Sequence, residues 1–260
     1  MGFDIIGSRE KAVAVISEGG ARKASEIMRK HKNVKTVLLR SEKRTGSYRL
    51  YEMKILRGES DTQVVHKEAG CFFFIDPQKA YFSTRESTER ARIAKLVRGG
   101  ENVMVFFAGV GPLPVIIGKK TKAEKVTGIE INPEAVKYFV LNIVKNKLKN
   151  AEAVLGDVKK ESRKYYGSYD RVLMPLPETA CKYLENAIRC CSAGGIVHYY
   201  FFGSNEDVKK ERERIKKACE KAKRRCIISK NVTKVLPYGP GVWKTRLDFR
   251  IYSKRQNNLD

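Results

Sequence analysis

The sequence predicts an α/β fold: a doubly wound sheet that ends in an antiparallel hairpin and follows a small α+β domain. Three observations carry this reading. Short apolar runs at Val103 to Phe106, Lys125 to Glu130, Ala153 to Leu155 and Arg171 to Met174 are spaced to admit helices between them, as a parallel sheet requires. The first run feeds directly into Phe107-Ala108-Gly109-Val110-Gly111-Pro112, a glycine turn at a strand end. The last two runs, Cys226 to Leu236 and Val242 to Tyr252, are joined only by Pro237-Tyr238-Gly239-Pro240-Gly241, so they read as a hairpin.

Taken in order, the chain divides near residues 70 to 85, giving a unit of residues 1–80 and one of 81–260. In the first, Lys11 to Ile16 and Lys35 to Arg40 read as strands around a helix from Ala21 to His31, whose Ala24, Ile27 and Met28 face a sheet. Arg49 to Leu56 and Cys71 to Ile75 are two further strands. In the second unit, Asn132-Pro133 supplies an N-cap and a first-turn proline for a helix carrying Val136, Phe139, Val140, Ile143 and Val144 at helical spacing. After the fourth strand, Pro175-Leu176-Pro177 ends strand pairing because proline lacks an N–H. A helix over Glu178 to Cys191 stops at Ala193-Gly194-Gly195, and Ile196 to Phe202 is a fifth strand. Glu206 to Arg225, dense in both charge signs, reads as an outer helix.

The ends of the first three strands hold the candidate ligand groups. Gly109 and Gly111 leave the backbone open to a close ligand, although a lone G-x-G is equally a tight turn. Glu130 follows about twenty residues later, where a Rossmann-like unit places the acid that accepts from a ribose. Asp157, after the third strand, is placed to meet an adenine amino group. Each carboxylate alone also fits a solvated loop acid; the ordered series favours the nucleotide reading.

Composition narrows the partners. The 260 residues carry 53 Lys and Arg against 29 Asp and Glu, a net charge of +24. That excess favours a polyanion, whose counterions are released on binding, though a lysine-rich surface also serves solubility or heat tolerance. No apolar run approaches the ~20 residues of a spanning helix, and Asp4, Arg9, Glu10 and Lys11 interrupt any leader-like N-terminus, so no membrane partner and a cytoplasmic location are expected. Six cysteines without a C-x-x-C pair and three histidines give no zinc-like spacing. Oligomeric state has no signature in the sequence.

Several segments carry a family resemblance: Phe3-Asp4-Ile5-Ile6-Gly7, Val65-His66-Lys67-Glu68, Tyr81-Phe82-Ser83-Thr84-Arg85, Thr88-Glu89-Arg90, Phe107 to Pro112, Ile131-Asn132-Pro133 and Gly194-Gly195-Ile196-Val197-His198-Tyr199-Tyr200. Together they resemble the archaeal and eukaryotic tRNA guanine-37 N1-methyltransferases and, less closely, the wybutosine-pathway transferases. The resemblance covers nearly the whole chain, beginning where the family's second domain would; the elbow-binding N-terminal domain is expected to be missing. It implies a class I methyltransferase fold, S-adenosyl-L-methionine as cofactor and the tRNA anticodon stem-loop as partner. Residues 1–80 would then bind RNA and target, and residues 81–260 the cofactor.

Carried over residue by residue, Glu89 matches the family's general base toward guanine N1, and Arg49 is the best match to an arginine on guanine O6. By residue type alone, Glu89 also fits a helix acid opposite Arg85 or Arg92, and Arg49 a strand-surface charge. Phe107, Ala108, Gly109, Val110, Gly111, Glu130, Ile131, Asp157 and Pro175 are implied to surround the cofactor, and Arg85 and Pro177 the substrate. Two departures stand out: Pro175 replaces an asparagine whose amide would hold the base, and Val105 replaces an aspartate before the glycine turn. They leave open a methyl- or aminocarboxypropyl-transferase acting on a modified guanine, and a non-catalytic RNA-binding paralogue.

Overall fold

A computed structural model describes residues 3–253, apart from 47 and 49. Its described strands form a four-stranded sheet, a seven-stranded sheet and a separate hairpin. In the small sheet, β1 (Asp4–Gly7), β2 (Ala12–Ile16), β3 (Val34–Thr45) and β4 (Leu50–Gly58) lie in chain order. β2 and β3 are parallel, with α1 (Ala21–Lys30) as the crossover. The continuous run Ala-Val-Ala-Val-Ile of β2 is buried on both faces. Ala12, Ala14 and Ile16 pack with Ala24 and Ile27 of α1, and Val13 and Val15 pack toward the main sheet.

Strand β1 has no counterpart among the strands expected from sequence: four residues show no periodicity, and the strand exists through its pairing with β2. β3 and β4 also run longer than expected, as an extended hairpin.

The hairpin β5 (Val64–Glu68) and β6 (Cys71–Ile75) leans on helix α4 (Pro133–Lys145). The Asn142 amide accepts from Phe74 N at 2.6 Å and donates to Phe74 O. Asn146, just beyond the helix, does the same for Phe72 at 2.9 and 2.7 Å. Two amides thus satisfy an edge that would otherwise need another strand.

In the large sheet, β7 (Asn102–Phe106), β8 (Lys125–Glu130), β9 (Ala151–Leu155), β10 (Tyr169–Met174), β11 (Cys191–Gly203), β12 (Arg225–Gly239) and β13 (Val242–Tyr252) stand in the order β12-β13-β11-β10-β7-β8-β9. β13 runs antiparallel to both neighbours, and for β12 the short connection at Pro240-Gly241 requires it. Alternation in β7 sends Val103 and Val105 to the core shared with α2 (Ser87–Leu96), α3 (Pro112–Lys120) and α4. Met104 and Phe106 face α5 (Val158–Glu161), α6 (Leu184–Cys190) and α7 (Asp207–Lys221). The sheet is therefore covered on both faces.

One expected boundary shifts. α6 is only seven residues long, preceded by a 3-10 turn at Ala180–Tyr183, and β11 begins at Cys191. The chain pairs Cys191 with Tyr169, bulges, and resumes with Ile196 opposite Arg171. Gly194, at φ +87°, belongs to that bulge inside the strand, so the two glycines do not mark a helix stop.

No described helix is long and apolar enough to cross a membrane. Among the described residues no cluster suits a metal ion, and all six cysteines are free.

Candidate active site

The chain reverses direction after β7 through Phe107, Gly109 and Gly111, whose φ values are +56°, +57° and +78°. At the end of β8, Glu130 spans this turn. Its Oε2 accepts from Gly109 N at 2.8 Å, and its Oε1 accepts from Asn132 N at 2.8 Å. Burial raises the Glu130 pKa above the ordinary carboxylate value, against the lowering effect of the N–H groups of Asn132, Gly109 and Ile131. Asp157 caps α5 by accepting from Lys159 N at 2.8 Å. Phe107, Gly109, Glu130, Ile131 and Asp157 line one cavity at this sheet edge.

A second cavity shares Tyr81, Phe107, Gly109 and Leu176 with the first, so the two form one continuous cleft. Ala108, Pro175, Pro177 and Glu89 line this second part. Val110 and Gly111 line neither. Val110 is fully buried and its carbonyl accepts from Asn142 Nδ2 at 2.9 Å, while Gly111 packs against Phe139.

Glu89 is aimed into the cleft by the packing of α2. On one side, Arg90 donates from Nε and Nη2 to Glu68 of β5 at 2.7 and 2.5 Å, and from Nη2 to Ser83 O at 2.9 Å. That bidentate clamp ties the helix to the hairpin. On the other side, Glu89 is 6 % exposed and held by three neighbours. Its Oε1 accepts from Tyr200 Oη at 2.7 Å and Arg246 Nη1 at 2.5 Å, and its Oε2 accepts from Arg92 Nη1 at 2.8 Å. A carboxylate oxygen has about two lone pairs, so Oε2 keeps one for an incoming proton. Burial, with the adjoining Glu89 charge, pushes the Tyr200 hydroxyl well above its usual pKa; it stays a donor.

Arg85 lines neither part of the cleft; its Nε lies 2.7 Å from Asp4 Oδ1, and it lines an adjoining cavity toward the small sheet. Arg49 lies outside the described residues. Its described neighbours Tyr48 and Leu50 line the first cavity.

Sequence reading missed Tyr200, Arg246 and Lys244. Lys244 is buried, bonds to Glu86 at 2.7 Å and stands 5.2 Å from the Tyr200 ring centre. A signal existed: Lys244, Arg246 and Asp248 alternate with Thr245, Leu247 and Phe249 in a strand that pairs on both sides. Charges recurring with period two inside such a strand form a buried polar row, which needs partners.

Comparison with known proteins places this geometry in a family. Residues 64–228 match the TRM5/TYW2 methyltransferase domain. The chain is 39 % identical over 258 residues to tRNA (guanine(37)-N(1))-methyltransferase Trm5b of Pyrococcus abyssi, covering 96 % of this chain and 74 % of that protein. The structure of aTrm5 in complex with tRNALeu is similar with a TM-score of 0.82 and 31 % identity, over 96 % of this chain and 72 % of that one. TYW2 of Methanocaldococcus jannaschii in complex with AdoMet is similar with a TM-score of 0.75 and 27 % identity, over 97 % of this chain and 100 % of that one. By the match over residues 64–228 and the identity across nearly its whole length to Trm5b, the chain belongs to the TRM5/TYW2 methyltransferase family.

Proposed function

We propose that the protein methylates N1 of guanine 37 in tRNA, with S-adenosyl-L-methionine as donor. The observation that carries this reading is Glu89, buried in the cleft that continues from the Glu130 cavity and left with one open lone pair on Oε2.

The first cavity fits the cofactor. Glu130 Oε2 accepts from Gly109 N and Oε1 from Asn132 N, and a carboxylate has about four lone-pair sites, so acceptor capacity remains for a ribose diol. Ile131, 45 % exposed, offers an apolar wall, and the Asp157 carboxylate offers acceptors for an adenine amino group. When bound, the cofactor supplies an electrophilic methyl on a sulfonium leaving group.

Guanine N1 carries a proton at neutral pH and is a poor nucleophile. Glu89 takes that proton as the N1–methyl bond forms and the sulfur–methyl bond breaks, leaving a neutral thioether. Arg49 is assigned to O6, where negative charge builds as N1 loses its proton. Arg85 and Pro177 are assigned to the substrate. Residues 1–80 act as the RNA-facing unit and residues 81–260 as the cofactor unit, with the anticodon stem-loop as the part of tRNA engaged and the cytoplasm as the place of action. The +24 charge supports a polyanionic partner.

Labelled methyl should enter a tRNA transcript with guanine 37 and not the same transcript with adenine 37; equal incorporation contradicts the assignment. Pro175, which offers no amide to the base, favours a second reading: methylation of a wybutosine intermediate at the same position. Incorporation only into tRNA carrying that intermediate would support it.

The cofactor site has its own pH signature. Ribose hydroxyls donate to ionised Glu130, whose pKa burial has raised. Affinity should therefore be full above the raised pKa and fall as pH drops through it, at higher pH than for an exposed glutamate. Calorimetric titration of the cofactor from about pH 8 to about pH 5 checks this. Glu130→Gln should bind more weakly and lose the pH dependence; a flat profile in the wild-type protein contradicts the assignment.

A further inference from the structure

The pairing of β11 with β13 places His198 opposite Asp248, Tyr200 opposite Arg246 and Phe202 opposite Lys244. Residues two apart share a face, so these six form three rows. Glu86 meets Lys244, and Glu89 meets Arg246 and Tyr200. Beyond the His198–Asp248 row, Arg171 donates from Nη2 to Leu96 O at 2.8 Å and binds Glu101 through Nε and Nη2 at 2.7 and 2.8 Å.

These rows connect into one chain of contacts. Arg171 Nη1 lies 2.6 Å from His198 Nε2, and His198 Nδ1 lies 2.7 Å from Asp248 Oδ1. Arginine only donates, so Nε2 is the acceptor and the imidazole proton sits on Nδ1, donated to Asp248. Burial lowers the His198 pKa and keeps the ring neutral. Burial alone would raise the Asp248 pKa, but the His198 hydrogen bond and the Arg246 charge outweigh it, and the carboxylate stays ionised. Arg246 Nε lies 3.0 Å from Asp248 Oδ1, yet off the line of its N–H bond. It is a buried side-chain nitrogen without an aligned acceptor among the described residues. Its Nη1 holds Glu89. Arg246 is therefore held by its hydrogen bond to the base on one side and by the charge of a carboxylate that His198 fixes on the other, with a long Nη2 contact to Thr233 Oγ1 at 3.5 Å.

We propose that Asp248, oriented by His198, is a positioning residue for methyl transfer: it fixes the Arg246 guanidinium, which in turn keeps the open lone pair of Glu89 Oε2 turned toward the target base. The proposal rests on Glu89 as the base. It differs from a stabilising role because its effect passes through Glu89 alone.

A double-mutant cycle separates the two. Single-turnover methyl transfer to guanine-37 tRNA is measured at saturating cofactor and tRNA for the wild type, Asp248→Asn, Glu89→Gln and the double variant, with cofactor affinity by calorimetry. Asp248→Asn should slow transfer about tenfold, leave cofactor affinity within about twofold, and cost less than about twofold once Glu89 is already glutamine. Equal slowing in both backgrounds, or no slowing in either, overturns the proposal while leaving Glu89 as the base. If Glu89→Gln is itself as fast as the wild type, the base assignment fails and the proposal with it. Should Asp248→Asn fail to fold, Arg246→Lys carries the same comparison. A single ammonium keeps the charge but cannot span both carboxylates, so the same non-additivity is expected and its absence overturns the proposal.

Discussion

Glu89→Gln should slow methyl transfer by about 10²- to 10⁴-fold, the range for loss of a general base, while binding the cofactor as the wild type does. The two effects separate because Glu89 lines only the second part of the cleft, whereas Glu130 and Asp157 line the first. Glutamine keeps the shape and an acceptor oxygen for Tyr200 and Arg246, so the cage survives in outline. It loses the charge that balances Arg246, itself 5 % exposed, and with it the capacity to take the N1 proton. Some loss of stability accompanies the change, because a buried cation left without its partner is costly. Rates should therefore be read well below the melting temperature. Single-turnover kinetics with a parallel cofactor titration check the expectation. A variant that transfers methyl at the wild-type rate, or one that loses the cofactor, contradicts it.

Gly111→Ala should destabilise the fold by about 2–5 kcal/mol, the sum of a left-handed backbone penalty and overpacking in the core. At φ +78° the position suits glycine, and an added Cβ would stand 2.0 Å from Phe139 Cδ2, deep in a fully buried ring. Gly109→Ala is the control. It shares the left-handed conformation, φ +57°, but its Cβ would meet nothing nearer than Tyr81 O at 3.6 Å, so only the backbone penalty of about 1–2 kcal/mol applies. Urea unfolding of the two variants measures the difference. Equal destabilisation would contradict the claim that the second glycine serves packing against Phe139.

That contrast shows how far the sequence was legible. Glu130 could be placed because the distance from a glycine turn to the next strand end is a local property of a β-α-β unit, and the carboxylate does span the turn. The role of Gly111 could not, because it is set by a ring on a helix beyond the next strand. Likewise, the final hairpin was readable from the Pro-Gly connection, whereas the bulge at Gly194 depends on register with β10. The cage around Glu89 joins α2 to β11 and β13, far apart in the chain, and only the alternating charges of Lys244, Arg246 and Asp248 hinted at it. Resemblance supplied Glu89 as a candidate base; by residue type alone it was an ordinary acid near a helix start opposite Arg85 or Arg92, and Arg92 does pair with it.

The most direct test of the proposed activity is to incubate the protein with methyl-labelled S-adenosyl-L-methionine and unmodified tRNA carrying guanine 37, digest the product, and map the label by nucleoside mass spectrometry. The expected result is N1-methylguanosine at position 37 and label nowhere else. Label on a different atom or position, or no label although the cofactor binds, would contradict N1 methylation of guanine 37.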